Sequence, residues 1–167
     1  MKPALLVIDV QKAFFGISEE TRQSLEQAVK LINAVVPMFR NRNLPVVWVQ
    51  HQDDEDGVVP GTEGFEMPES FDVRPGDLRV VKTAGNAFHG TALEEDLRRL
   101  GVDATVLTGF CAEYCVLSTF RGARDRGMAP MLLRGALASV AQENIPFVER
   151  VNEVLSPGVL VKMLENC

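Results

Sequence analysis

The chain has 167 residues, 46% hydrophobic and 24% charged, with a formal net charge of -6. That balance supplies a core for a single domain over residues 1–167. It argues against nucleic acid or an anionic membrane surface as partner, since both call for a basic face.

In chain order, Pro3 to Val10 (PALLVIDV) is a nearly unbroken apolar run. It reads as a strand buried on both faces, as in a parallel sheet. The run is too short for a secretory leader, and no stretch approaches the ~18 apolar residues of a membrane helix. A helical pattern follows from Ser18 to about Arg42, with Ser18 and Thr21 as caps and Pro37 as a kink or early stop. Leu44 to Gln50 is a second buried strand. His51 to Gly76, rich in Asp, Glu, Gly and Pro, has little periodicity and reads as one long surface excursion, a kind of loop that usually carries function or motion. Leu78 to Lys82 returns to the sheet.

Thr91 to Leu100 is expected as a helix with a Thr91/Glu94 capping box, stopped by Gly101. Ala104 to Thr108 is a strand, about Glu113 to Arg126 a helix, and Ala129 to Leu133 a strand. Asn144 to Leu155 is expected as a helix and Gly158 to Val161 as a last short strand. This alternation predicts a three-layer α/β/α fold around a mostly parallel, Rossmann-like sheet of about six strands. Ligands of such folds sit beyond the C-terminal ends of the strands.

Reactive side chains gather at those ends. Asp9 closes the first strand, Lys82 closes the strand after the excursion, and GFCAEYCV (Gly109 to Val116) joins a strand to a helix. Cys115 falls in the first helical turn, where free N–H groups and the helix dipole favour a thiolate. It is the candidate nucleophile, with a nearby carboxylate to take its proton and turn amides to hold an oxyanion. Taken singly, each residue has a plainer reading. A cysteine in an apolar domain is more often packing, an Asp after a strand can be a metal ligand, ribose partner or cap, and a lone lysine is usually solvated. The odd count of cysteines (Cys111, Cys115 and Cys167) in a chain too large to need staples suits reduced thiols and a cytoplasmic setting.

The strings LLVIDVQKAFF, VVWVQHQDD, VVKTAGNAFHGTALEEDLRRLGV and TVLTGFCAEYCVLSTFRGARDRG, in this order, resemble the isochorismatase-like cysteine hydrolase superfamily, to which nicotinamidases and N-carbamoylsarcosine amidases belong. The likeness runs from Pro3 to Ser139. It implies a catalytic triad of Asp9, Lys82 and Cys115 that cleaves amide-type C–N bonds through a thioester. It also implies a cis peptide at Phe110–Cys111 and an oxyanion hole from the N–H groups of Cys111 and Cys115. Gln11 of the D-x-Q motif and Asn86 of the N-A-F segment join Phe14, His51, Phe110 and Tyr114 as the expected substrate pocket. Isochorismatase proper lacks the cysteine, so Cys115 steers away from vinyl-ether cleavage. Homo-oligomers, dimers or tetramers, are a further implication.

The match is imperfect after the second strand. Nicotinamidases carry an Asp-x-His metal element there, whereas this chain has His51-Gln52-Asp53 and only one other histidine, His89. Too few ligands are then in view, so neither metal nor cofactor is expected. The expected partner is a small molecule. For clamping a substrate carboxylate, Arg74, Arg79 and Arg121 are candidates by neighbourhood alone. Cys111-x3-Cys115 supports a competing function, a non-catalytic or thiol-redox protein on the same fold, while a nucleotide-binding domain is disfavoured because no Gly-rich phosphate loop follows the first strand.

Overall fold

The computed structural model describes residues 1–167 and contains six strands in one parallel sheet. The strands are β1 (Pro3–Ile8), β2 (Val46–His51), β3 (Leu78–Lys82), β4 (Ala104–Gly109), β5 (Ala129–Leu137) and β6 (Val154–Leu155), in the order β3-β2-β1-β4-β5-β6. Five α-helices accompany them: α1 (Glu19–Arg40), α2 (Leu93–Arg99), α3 (Leu117–Asp125), α4 (Asn144–Arg150) and α5 (Pro157–Leu164).

The apolar runs explain the layers. Every residue of β1 is buried. Leu5 and Val7 face a cluster built with Leu25, Ile32 and Phe39 of α1 and Leu160 of α5. Ala4, Leu6 and Ile8 face the other side, against Leu97 of α2, Phe120 of α3 and Val148 of α4. A strand covered on both faces has no polar positions to offer, hence its continuous hydrophobicity.

Several elements differ from the sequence reading: β5 runs on to Leu137 instead of ending at Leu133, and the helix expected from Glu113 begins at Leu117 after a π turn, Ala112–Val116. Gly158–Val161 is not a strand but part of α5, where Ser156 caps the first turn by accepting from the Val159 N–H and Pro157 occupies a permitted first position. Leu160 and Leu164, four residues apart, are its buried stripe. The Asn144–Leu155 helix stops at Arg150, and Val154–Leu155 pairs with Leu132–Leu133 as β6 instead. The capping box is also absent. Helix α2 starts at Leu93, and Glu94 pairs with Arg98 and Arg126 rather than with a cap.

Neighbours of β1 are β2 on one side and β4 on the other, so connections leave in opposite directions between β1 and β4. That switch point opens a crevice beyond the strand ends. Gly109 makes the close approach possible: φ is +105°, and a Cβ there would lie 2.1 Å from the Ile8 carbonyl oxygen. The next amide, Phe110 N–H, donates to that same oxygen at 2.8 Å. Strand end and turn are thereby joined at the mouth of the crevice.

Candidate active site

Asp9 follows β1 directly in the left-handed region, with φ +51°, a conformation that Asp tolerates better than most residues. Lys82 ends β3, and Cys115 lies in a five-residue π turn, Ala112–Val116, that precedes α3. The Phe110–Cys111 peptide before this turn is cis.

Lys82 gathers the three elements. Its side chain is fully buried. Nζ lies 2.7 Å from Asp9 Oδ2, 3.1 Å from His51 Nδ1 and 3.4 Å from Cys115 Sγ. An ammonium has three N–H donors and no acceptor, so each donor has one partner and none remains. His51 Nδ1 must then accept, which places that ring's proton on Nε2. Asp9 Oδ1 is buried and has no hydrogen-bond partner. Lys82 holds the other oxygen, and the Cys115 thiol is close enough to Asp9 for each to shift the other.

The charges act on one another. Burial raises the pKa of Asp9, outweighing the Lys82 ammonium, which lowers it. Burial also pushes the Cys115 thiol up to about 12; the Asp9 charge adds to this, and Lys82 opposes it. This corrects the expected thiolate. Two acidic groups share one cation in a largely buried site, so the resting cysteine keeps its proton.

A cavity of about 270 Å³ opens onto Cys115. Phe14, His51, Phe110 and Tyr114 line it as expected. The Phe14 and Phe110 rings form a tilted pair 4.9 Å apart. Gln11 and Asn86 do not line it. Gln11 is fully buried; its Nε2 donates to the carbonyls of His51 and Phe65, and its Oε1 accepts from the His51 N–H. It ties β1 to β2 and to the excursion. Asn86 Oδ1 accepts from the Phe88 N–H, and the Asn86 amide packs on Gly122 of α3. None of Arg74, Arg79 and Arg121 reaches the cavity either; Arg74 pairs with Asp72.

Three lining residues escaped the sequence reading, Ile17, Val140 and the side chain of Cys111, while Asp56 lines it from the 51–76 excursion, an expected part of the wall. Val140 follows the end of β5, which runs to Leu137 rather than stopping at the expected Leu133. Within the excursion, nothing in the sequence singles out Asp56 over its acidic neighbours. Behind the turn, Glu113 Oε1 accepts from Asn144 Nδ2 at 2.8 Å, Ser139 Oγ lies 2.7 Å from Oε2, and the Cys111 thiol donates to Oε2 at 3.1 Å. Burial works against the Glu113 charge, but these bonds and a backbone amide outweigh it and hold the carboxyl below its ordinary range. The Cys111 amide donates to no acceptor within the chain and is free for a ligand.

His51, Asp53 and Asp56 each bring one ligand-type atom within 4.8 Å of the others. Ligands are therefore not as scarce as the sequence suggests. Nε2 of His51 lies 3.9 Å from Asp53 Oδ2. A metal-bound imidazole needs its lone pair on the metal-facing nitrogen and its proton on the other. Here the other nitrogen receives a proton donor from Lys82, so the set does not fit a metal ion.

Residues 3–147 match the isochorismatase domain family. The uncharacterized isochorismatase family protein YrdC of Bacillus subtilis (strain 168) is 30% identical over 83% of this chain and 74% of its own. The N-carbamoylsarcosine amidase of Thermoplasma acidophilum superposes with TM-score 0.81 at 30% identity, covering 93% of this chain and 96% of that one. An isochorismatase-like hydrolase from Alkaliphilus metalliredigens has the same fold, with TM-score 0.88 at 24% identity over 98% of this chain and 99% of that one.

Proposed function

We propose, from the premise that the chain belongs to the isochorismatase family of hydrolases, that it cleaves an amide or ureido C–N bond of a small molecule through a thioester on Cys115. The observation that carries this reading is the single ammonium of Lys82, in contact with both Asp9 and Cys115, beside a free Asp9 Oδ1. Likeness to an N-carbamoylsarcosine amidase supports the choice of bond.

The steps follow from proton positions. Sγ attacks the carbonyl carbon as its proton passes to Asp9 Oδ1, the free acceptor. The N–H groups of Cys111 and Cys115 hold the oxyanion. The C–N bond breaks, and the leaving nitrogen takes the proton from Asp9. Water then attacks the thioester, its proton going to Asp9. Sγ departs, regains a proton, and the acid is released. Lys82 stays charged throughout and offsets whichever of Asp9 and Sγ is anionic. A high resting thiol pKa suits this sequence, because proton transfer and attack occur together.

The test is release of ammonia from nicotinamide, pyrazinamide, N-carbamoylsarcosine, ureidoacrylate and biuret. Turnover of at least one is expected, with losses of about 10³-fold or more in Cys115→Ser and in Asp9→Asn. Activity that survives Cys115→Ser would remove the thioester from the reaction.

A further inference from the structure

The cavity has a charge preference that follows from counting donors. Resting on the hydrolase reading, we infer that the site selects small amides without a carboxylate, uncharged or cationic, and that Asp56 on the rim enforces the choice. A substrate carboxylate needs a cation or several free donors. No lysine or arginine lines the cavity. The one cation nearby, Lys82, has all three N–H groups committed to Asp9, His51 and Cys115. The free amide of Cys111 belongs to the reacting oxygen in the mechanism above. That leaves His51 Nε2–H and the Tyr114 hydroxyl as the side-chain donors at the cavity, too few to replace a cation for a carboxylate.

Acceptors, by contrast, are in surplus. The Asp56 carboxylate lines the opening without any hydrogen bond or ion pair of its own, and deeper in stands the Asp9 carboxylate, whose Oδ1 takes the thiol proton in the mechanism above. Asp53 stands 3.9 Å from His51 Nε2, within the acidic run Asp53-Asp54-Glu55-Asp56. An anion entering here meets like charge at the rim and no cation inside. An N–H-rich group such as a carboxamide, ureide or ammonium meets an uncommitted acceptor at the rim, Asp56, and no cation inside to repel it except the fully paired Lys82. The apolar walls, Phe14 and Phe110, fit a flat body of one ring or less in about 270 Å³.

Three aldehydes on one benzene ring, differing in the charge of the para group, read this preference without turnover: benzaldehyde, 4-carboxybenzaldehyde and 4-(trimethylammonio)benzaldehyde. Each adds the Cys115 thiol across its C=O, forming an S–C bond while the thiol proton passes to oxygen. Affinity is measured by calorimetry on the full chain, with Cys115→Ala as blank. The carboxylate is expected to bind about tenfold or more weakly than the neutral compound, and the cation at least as well. Asp56→Asn should shrink the cation-to-anion ratio severalfold, and Asp56→Arg should reverse it; both substitutions fall on an exposed loop position. Equal or tighter binding of the carboxylate by the native chain overturns the inference, and so does failure of all three to bind. Ammonia release from neutral amides is scored separately. Turnover with the wrong charge order therefore rejects the selectivity alone, and absent turnover rejects the hydrolase reading.

Discussion

At the scale of single residues, the cluster holds one proton fewer than its acidic groups can take. Asp9 and Cys115 are both pushed upward by burial, and one ammonium serves both. With the thiol raised to about 12, sulfur keeps the proton at neutral pH and Asp9, bonded to Lys82, holds the charge. The sign can be checked with iodoacetamide, which reacts with thiolate. An ordinary cysteine levels off above its pKa of about 8.5, so the Cys115 rate should still climb with unit slope between about pH 8 and 10. Exposed Cys167 gives the comparison in the same digest. Removing the Asp9 charge takes away one of the influences that raise the thiol. Asp9→Asn should therefore alkylate faster at about pH 8, by roughly tenfold, while losing hydrolysis. A plateau below about pH 8 in the native chain would mean a preformed thiolate and would overturn this account.

At the scale of elements, the nucleophile depends on how its turn is held. Glu113 braces the π turn against Ser139 beyond β5 and Asn144 at the start of α4. Glu113→Ala leaves these partners unmatched in a half-buried place, costing about 1–3 kcal/mol of stability. Its kinetic mark should be a fall in kcat of about 10- to 100-fold with little change in KM, because a displaced Sγ misses the carbonyl while the cavity walls remain. Glu113→Gln keeps the shape and part of the bonding and should restore much of kcat. An unchanged kcat in the alanine variant would leave the brace with a stability role alone. Sequence made some of this arrangement legible. Strands buried on both faces announce themselves, so β1, β2 and β4 were readable, while the edge strand β3, with Arg79 and Val81 exposed, showed only as a short apolar run; with them came the strand ends carrying Asp9 and Lys82. The four-residue run Gly158–Val161 carries no period of its own, and the Ser156–Pro157 start decided it as helix. Gln11 and Asn86 sit in motifs near the chemistry, yet their amides bind backbone and pack on a glycine. Asp56 and Glu113 gain their places from contacts distant in sequence, which no local pattern records.

At the scale of the whole molecule, the parallel sheet separates chemistry from anchoring. Asp9, Lys82 and Cys115 lie beyond the C-terminal strand ends, and the opposite end has a polar cluster of its own. There Asp77, before β3, accepts from Trp48 Nε1 at 2.8 Å, from the Arg74 N–H at 2.8 Å and from the Arg40 guanidinium at 2.5 Å. Trp48 is fully buried, and the Arg40 and Asp77 side chains are 12% and 10% exposed. Asp77→Ala leaves a buried indole N–H unmatched and strips one of the two carboxylates that Arg40 holds, the other being Asp72. The cost should be about 2–3 kcal/mol, less than a fully broken buried pair because Asp72 remains. For a chain of this size that lowers Tm by roughly 5–10 °C. Yet kcat/KM at about 25 °C should stay within about twofold, since sites without shared partners act independently. Thermal unfolding followed by Trp48 fluorescence, beside ammonia release on the same sample, measures both. A loss of turnover well beyond twofold in folded Asp77→Ala protein would show that β2 and β3 transmit strain to His51 and Lys82. Those two residues close the strands that Asp77 anchors, so the variant tests whether the rigid sheet insulates the site.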